Sequence, residues 1–344
     1  MSRNSRKLFF DVLKYSATLG IAAFLLWYVY RDLSLNELLQ YFDDINYYWL
    51  GLSIIIALLS HYLRAYRWNL LLEPLGYNHL KSYRTFIAVM VGYFANNLVP
   101  RLGEVTRCGI LKKNDNVAMT SAFGSVVAER ALDLIILAIL AILTFFIEFD
   151  KLNMFVYQKF EETIPNSSSL TTIFVMLAVV GLLLLLGLFI VVRKFRHQLH
   201  HNKIYLKIRQ FIKELMEGFL SIRKVKSPAL FWLSTFGIWL FYYLMLIVVF
   251  YAFPPTNGLG LLAGLTLLIM SGLGMSAPVQ GGIGVFHILV SSVLVLYGIS
   301  VEDGKVFALV AHTTQFLTIM VFGGISFIIS VFMKKQIIDH DIRK

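Results

Sequence analysis

The residues of this chain that could do chemistry sit where membrane segments usually carry leucine and valine. The apolar run Phe86–Val91 leads straight into two amides (Asn96, Asn97), a proline (Pro100), a glycine (Gly103) and the charges of Arg101, Glu104 and Arg107. Arg101, Glu104 and Arg107 recur at three-residue spacing. Arginine presents a planar fork of donors to oxyanions, so the set suits a phosphate or lipid headgroup; an ion-paired corner at the membrane interface is the competing reading. Glu129, Arg130 and Asp133 fall early in a long apolar pattern, 117–149, with Glu129 and Asp133 on one helix face. Ionisable groups inside a membrane segment are costly and point to function, unless this end of the helix lies shallow in solvent. Arg101 or Arg107 together with Glu129 and Asp133 would close a charged cluster beside the break. His61, Arg64 and Arg67 share a face next to Trp68. They could grip a lipid phosphate, with Arg67 as the candidate binding residue, or simply end the span by snorkelling.

A second, milder interruption runs from Gly274 to Gly284 and contains Pro278, Gln280, Gly281 and Gly282. Its glycines would allow close backbone approach or offer amides to an anion. Gln280 and His312 are secondary binding candidates; a lone intramembrane histidine is equally at home as an interhelical contact. Pro100, Gly103, Pro278 and Gly284 are the expected breaks or hinges. Two interrupted hydrophobic segments, one in each half, are a sequence sign of a transporter-type site.

The elements that must hold these residues are membrane helices. Of 344 residues, 58% are hydrophobic and only 15% charged, which leaves no room for a large soluble domain. The expected fold is all-α: one polytopic membrane bundle over 1–344 with two broken or re-entrant segments, open to being an inverted repeat. Its first half covers about 1–150 with the break at 96–104, and its second about 170–333 with the break at 276–284. Spans are expected near 15–30, 48–72, 117–149, 170–192, 229–253 and 306–333. The run 86–99 is too short to cross and reads as re-entrant, whereas 259–275 and 283–297 could be two crossings or one dip. Between Arg193 and Lys226 there are ten Lys/Arg and two Glu. Within that stretch, 203–222 reads as a basic amphipathic helix lying on the anionic membrane face.

The net charge of +11 would suggest nucleic acid in a soluble protein, but its distribution over loops points to a membrane surface instead. With both termini cytoplasmic, 26 of the 31 Lys/Arg fall on the cytoplasmic side. One cysteine, Cys108, excludes an internal disulfide and a multi-cysteine metal site. No Gly-Lys-Ser/Thr, His-Glu-x-x-His or Ser/His/Asp arrangement supports nucleotide or hydrolytic chemistry, so neither cofactor nor metal is expected.

Four elements together carry a resemblance: Arg67-Trp68-Asn69-Leu70, Asn96-Asn97-Leu98-Val99-Pro100-Arg101-Leu102-Gly103-Glu104, Glu129-Arg130-Ala131-Leu132-Asp133, and Pro278-Val279-Gln280-Gly281-Gly282-Ile283-Gly284. The chain resembles the lysylphosphatidylglycerol synthase transmembrane-region family, flippase-like integral membrane proteins. The resemblance implies a bacterial cytoplasmic-membrane protein that binds and translocates an anionic or phosphate-bearing lipid. Its bifunctional members carry a C-terminal soluble transferase domain; here Lys344 follows the last span by eleven residues, so that domain is not expected within this chain. A membrane subunit working with a soluble lipid aminoacyl or glycosyl transferase, and a non-transporting scaffold, stay open as alternatives, as does homo-oligomerisation.

Overall fold

The computed structural model describes residues 19–151, 222–277 and 279–335. The expected span at 170–192, nearly all of the basic helix at 203–222, and Pro278 lie outside them. Among the described residues every regular element is helical: α1 Leu19–Tyr30, α2 Leu35–Asp43, α3 Tyr47–Leu72, α4 Ser82–Leu98, α5 Gly103–Asp115, α6 Met119–Ile147, α7 Pro228–Phe250, α8 Leu261–Ser276, α9 Val285–Leu296 and α10 Val301–Phe332.

Four of these, α3, α6, α7 and α10, are long and apolar enough to cross a membrane. At 1.5 Å per residue, α6 and α10 reach roughly 44 and 48 Å, longer than the hydrocarbon core. Local chemistry sets their ends. Asn46 accepts a hydrogen bond from Tyr48 N at the start of α3 (3.1 Å). At its other end Pro74 follows, and Gly76 turns the chain at φ +96°.

Four of the shorter helices, α4 with α5 and α8 with α9, form two hairpins. In the first, Arg84 near the start of α4 pairs with Asp115 at the end of α5, and Gly92 packs on Gly103 near the turn. α4 and α5 are therefore antiparallel, and both open ends lie on one side. α4, at about 25 Å, is too short to cross and return on the far side. The second hairpin repeats the geometry. Thr266 of α8 meets Tyr297 just after α9 (2.8 Å), while Gly274 packs against Phe286. α8 and α9, at roughly 24 and 18 Å, fall short of the hydrocarbon core, so the second interruption reads as a dip and not two crossings.

The helices follow one path forward and then its inverse. α3 runs from the end that holds Asn46 to the end that holds Ser82; hairpin α4–α5 dips from there, and α6 crosses back. α7 starts where α6 started, hairpin α8–α9 dips from the opposite end, and α10 crosses back. The described residues thus form the inverted repeat that the two breaks suggested, α3–α6 against α7–α10. Charge separates the two ends. One carries nine Lys/Arg (residues 81, 84, 112, 113, 223, 224, 226, 334, 335) and two acids (73, 115). The other carries three Lys/Arg (31, 151, 305) and eight acids (32, 37, 43, 44, 148, 150, 302, 303).

Packing follows this plan. One apolar cluster joins α7, α8, α9 and α10 around Phe250, Phe253, Leu267 and Phe307, and a second joins α3, α4, α5 and α6 around Trp68, Val89 and Leu111. Side-chain ties close the hairpins at their bases. Asn114 Nδ2 donates to the Ser330 carbonyl (3.1 Å), and Thr266 Oγ1 donates to the buried Glu148 carboxylate (2.9 Å).

Candidate functional site

Ten residues after the start of α6, about 15 Å into it, Glu129 is fully buried. A carboxylate at that depth needs cations, and the neighbouring helices supply three. Arg64 Nη1 donates to Glu129 Oε1, and the same nitrogen reaches Asp133 Oδ2 at 2.9 Å. Arg67 Nη2 donates to Asp133 Oδ1 at 2.8 Å and lies 3.8 Å from Glu129. Arg107 Nη1 stands 3.3 Å from Glu129 Oε2 and its guanidinium covers the Trp68 ring at 4.6 Å. Arg64, Arg67 and Arg107 are each no more than 3% exposed.

Helical periodicity produces this convergence. Arg64 and Arg67 are one turn apart on α3, Glu129 and Asp133 one turn apart on α6, so two fork-shaped cations face two carboxylates across the α3–α6 contact. α5 brings in Arg107 because Gly92 and Gly103 let the hairpin close tightly. A Cβ on Gly92 would stand 2.9 Å from the Gly103 carbonyl oxygen, a spacing real side chains do not adopt. α7 completes the shell, with Tyr242 Oη accepting from Arg64 Nη2 (2.9 Å) and Thr235 Oγ1 at 3.5 Å from Arg67 Nη1. Trp68 Nε1 donates to Ser125 Oγ at 2.8 Å, holding the aromatic platform beneath Arg107.

The four buried ions and the partly buried Asp133 sum to three positive and two negative charges. Arg107 Nε and Nη2 and Arg67 Nε have no hydrogen-bond partner among the described residues. The cluster therefore carries one surplus positive charge and unspent donors. At its edge, Arg130 Nε lies 3.7 Å from Glu104 Oε1, a more open pair. Between hairpin α4–α5 and α6, a crevice of about 10 Å³ is lined by Tyr93, Asn96, Glu104, Arg107 and Arg130. It has room for about one water at most.

The expected grouping of Arg107 with Glu129 is present, and Asp133 is reached by Arg64 and Arg67. Arg101 is not in the cluster. It is exposed at the tip of the first hairpin, where its backbone takes φ +63° to turn α4 into α5. Asn96 accepts from the Gly103 amide (2.6 Å), so it caps α5 and supports the turn around Pro100. Asn97 is buried, with its Nδ2 unpartnered among the described residues. Arg64 and Arg67 do not snorkel. Their carboxylate partners on α6 hold them inside, and that pairing makes Arg64 a member of the site that its spacing alone left among span-ending residues. Tyr242 and Thr235 carried no signal in the sequence.

The second set gathers elsewhere. Gln280 Nε2 donates to the Leu98 carbonyl, so the two hairpins touch tip to tip. Gly281, Gly282 and Gly284 take φ of +58°, +72° and +84°, a left-handed run that side chains resist. Two of these amides are already used: Gly282 N donates to the Val279 carbonyl and Gly284 N to His287 Nδ1. The glycines therefore serve the turn more than an anion. His312 Nε2 lies 2.8 Å from the Gly281 carbonyl, and its ring sits 4.7 Å from that of His287. His312 thus braces the second tip and does not join the arginine cluster.

Known proteins share this arrangement of sequence. The chain is 22% identical over 296 residues to the UPF0104 membrane protein PH1989 of Pyrococcus horikoshii, covering 80% of this chain and 84% of that one. It is 25% identical over 242 residues to the UPF0104 membrane protein MJ1078 of Methanocaldococcus jannaschii, covering 69% of this chain and 94% of that one. Against MJ1595 of the same organism it is 30% identical over 105 residues, which span 29% of this chain and 31% of the relative. No solved structure matches the chain at a significant level. The profile of the lysylphosphatidylglycerol synthase TM region matches residues 15–323, spanning both hairpins and the charge cluster, and the chain belongs to that family.

Proposed function

We propose that this protein binds an anionic, phosphate-bearing lipid at the arginine cluster and moves it between the leaflets of the membrane. The observation that carries this reading is the surplus charge: three buried arginines face two carboxylates, and Arg107 keeps two buried donors without a partner among the described residues. Buried cations are costly in a membrane and gain most from an oxyanion with two or more oxygens to share. Glu104, Glu129 and Asp133 balance the arginines while the site is empty. Arg130 and Glu104, flanking the crevice, line the entrance. The 10 Å³ crevice does not admit a headgroup as it stands, so hairpin α4–α5 must lift away from α6. The turns around Pro100, Gly103, Pro278 and Gly284 supply the pivots.

The charge at the two ends supports a sidedness: the positive-inside rule assigns the end with nine described Lys/Arg to the cytoplasm, in keeping with cytoplasmic termini. A role beside a soluble transferase rests on the family's name alone, and no contact described here favours it.

The test is reconstitution of the full chain in phosphatidylcholine vesicles containing fluorescent phosphatidylglycerol, with leaflet exchange read by chemical quenching from outside. Wild type should accelerate exchange well above protein-free vesicles, and Arg107→Gln should lose at least tenfold. Exchange at the protein-free rate in wild type, or an unchanged rate in folded Arg107→Gln, would sink the assignment.

A further inference from the structure

Beside the charge cluster, α6, α7 and α8 line an open, largely apolar groove of about 440 Å³, within the usual size of a ligand pocket. We propose that this cleft seats one hydrocarbon chain of the lipid whose phosphate the arginines hold, with that lipid drawn from the leaflet at the basic end. The inference rests on the proposed lipid binding and adds to it where the tail lies.

Two observations carry it. The cleft and the cluster share one wall. Thr235, Trp239 and Tyr242 recur along α7 at i, i+4 and i+7; Thr235 and Trp239 line the cleft, while Thr235 and Tyr242 meet Arg67 and Arg64. On α6, Ile136 follows Asp133 by one turn and lines the same cleft. A ligand in one space therefore abuts the other.

The cleft also has the direction a lipid needs. Its α7 wall runs from Trp232 to Tyr243, eleven residues or about 17 Å, away from the basic end and past the level of Asp133. A lipid in the basic-end leaflet points its tail that way.

The experiment uses the full chain in vesicles doped with phosphatidylglycerol bearing a photoactivatable diazirine in one acyl chain. Labelled sites are mapped by peptide mass spectrometry. Binding of the water-soluble headgroup, glycerophosphoglycerol, is measured in parallel by calorimetry. Labels should concentrate on residues 232–243 and 261–268. Filling the cleft with Leu265→Trp should cut that labelling at least fivefold while leaving headgroup binding unchanged. Ile136→Phe, on the opposite wall, serves if Leu265→Trp does not fold.

Labels spread evenly over all lipid-facing helices and indifferent to both filling variants would overturn the inference. So would cysteine cross-links showing that residues 152–221 of the chain itself fill the cleft. Either result leaves headgroup binding intact and the proposed function standing. Loss of headgroup binding in wild type, with labels still in the cleft, would instead strike the proposed function and leave a tail site.

Discussion

Replacing Glu129 by glutamine would leave three buried guanidiniums around a single carboxylate. Removing one partner of a buried ion network typically costs about 3–5 kcal/mol, because the charges left behind cannot recover their hydration. We expect Glu129→Gln to be the most destabilising single change in the cluster, read as a lowered thermal midpoint in detergent. Arg107→Lys should behave differently. It keeps the charge opposite Glu129 but loses the planar fork and its stacking on Trp68, so stability should fall by only about 1 kcal/mol while phosphatidylglycerol binding weakens at least tenfold. These residues were unequally legible. Glu129, Asp133 and Arg107 stood out because a charge inside an apolar run has few bland explanations. Arg64 did not, since its three-residue spacing with His61 and Arg67 also describes a helix approaching the membrane surface. What distinguishes the two is the identity of the facing helix, which one sequence does not reveal. Arg101 shares a charged string with Arg107 but lies in the hairpin turn itself, whereas Arg107 is one turn into α5, so only Arg107 reaches the cluster.

At the scale of elements, the first hairpin depends on an unusually close approach. Gly103→Ala would force its methyl against the Gly92 carbonyl and the Asn96 side chain. Overpacking of this kind costs typically about 1–3 kcal/mol, and here it should also pull Arg107 off Glu129. The signature would be a lower thermal midpoint together with weaker lipid binding, whereas Gly109→Ala on the same helix, where an added Cβ meets nothing within 4 Å, should be silent in both. Asn96→Ala removes the acceptor for the Gly103 amide and should cost about 1 kcal/mol, the usual worth of a helix cap. The existence of this hairpin could be read in advance, because amides, proline and glycine cannot sit in lipid without protein around them. The second hairpin could not, since Gly281, Gly282 and Gly284 fit a loop between two crossings as well as a tip buried at mid-depth. The shortness of α8 and α9 and the contact of the second tip with the first speak for the buried tip.

At the scale of the whole molecule, the two halves share a path but not a chemistry. Glu129 is the eleventh residue of α6 and Ala311 the eleventh of α10, with His312 next to it, so an ion cluster in one half faces a histidine pair in the other. The tips of the two hairpins touch through Gln280 and Leu98. Cysteines at those two positions, oxidised to a disulfide, should stop lipid exchange while phosphatidylglycerol still binds, and reduction should restore it. Topology has its own test: Lys112→Cys and Lys334→Cys should react with an impermeant maleimide from one face of sealed vesicles, and Glu302→Cys from the other. An inverted repeat has a further consequence during synthesis. A scaffold that reads the same upside down gives the insertion machinery little reason to prefer one orientation, and such a protein could enter the bilayer both ways and cancel its own directionality. Among the described residues, nine basic side chains at one end against three at the other break that degeneracy. Lysines placed at Glu37, Glu302 and Asp303 should therefore raise the share of inverted molecules, each built to run in reverse.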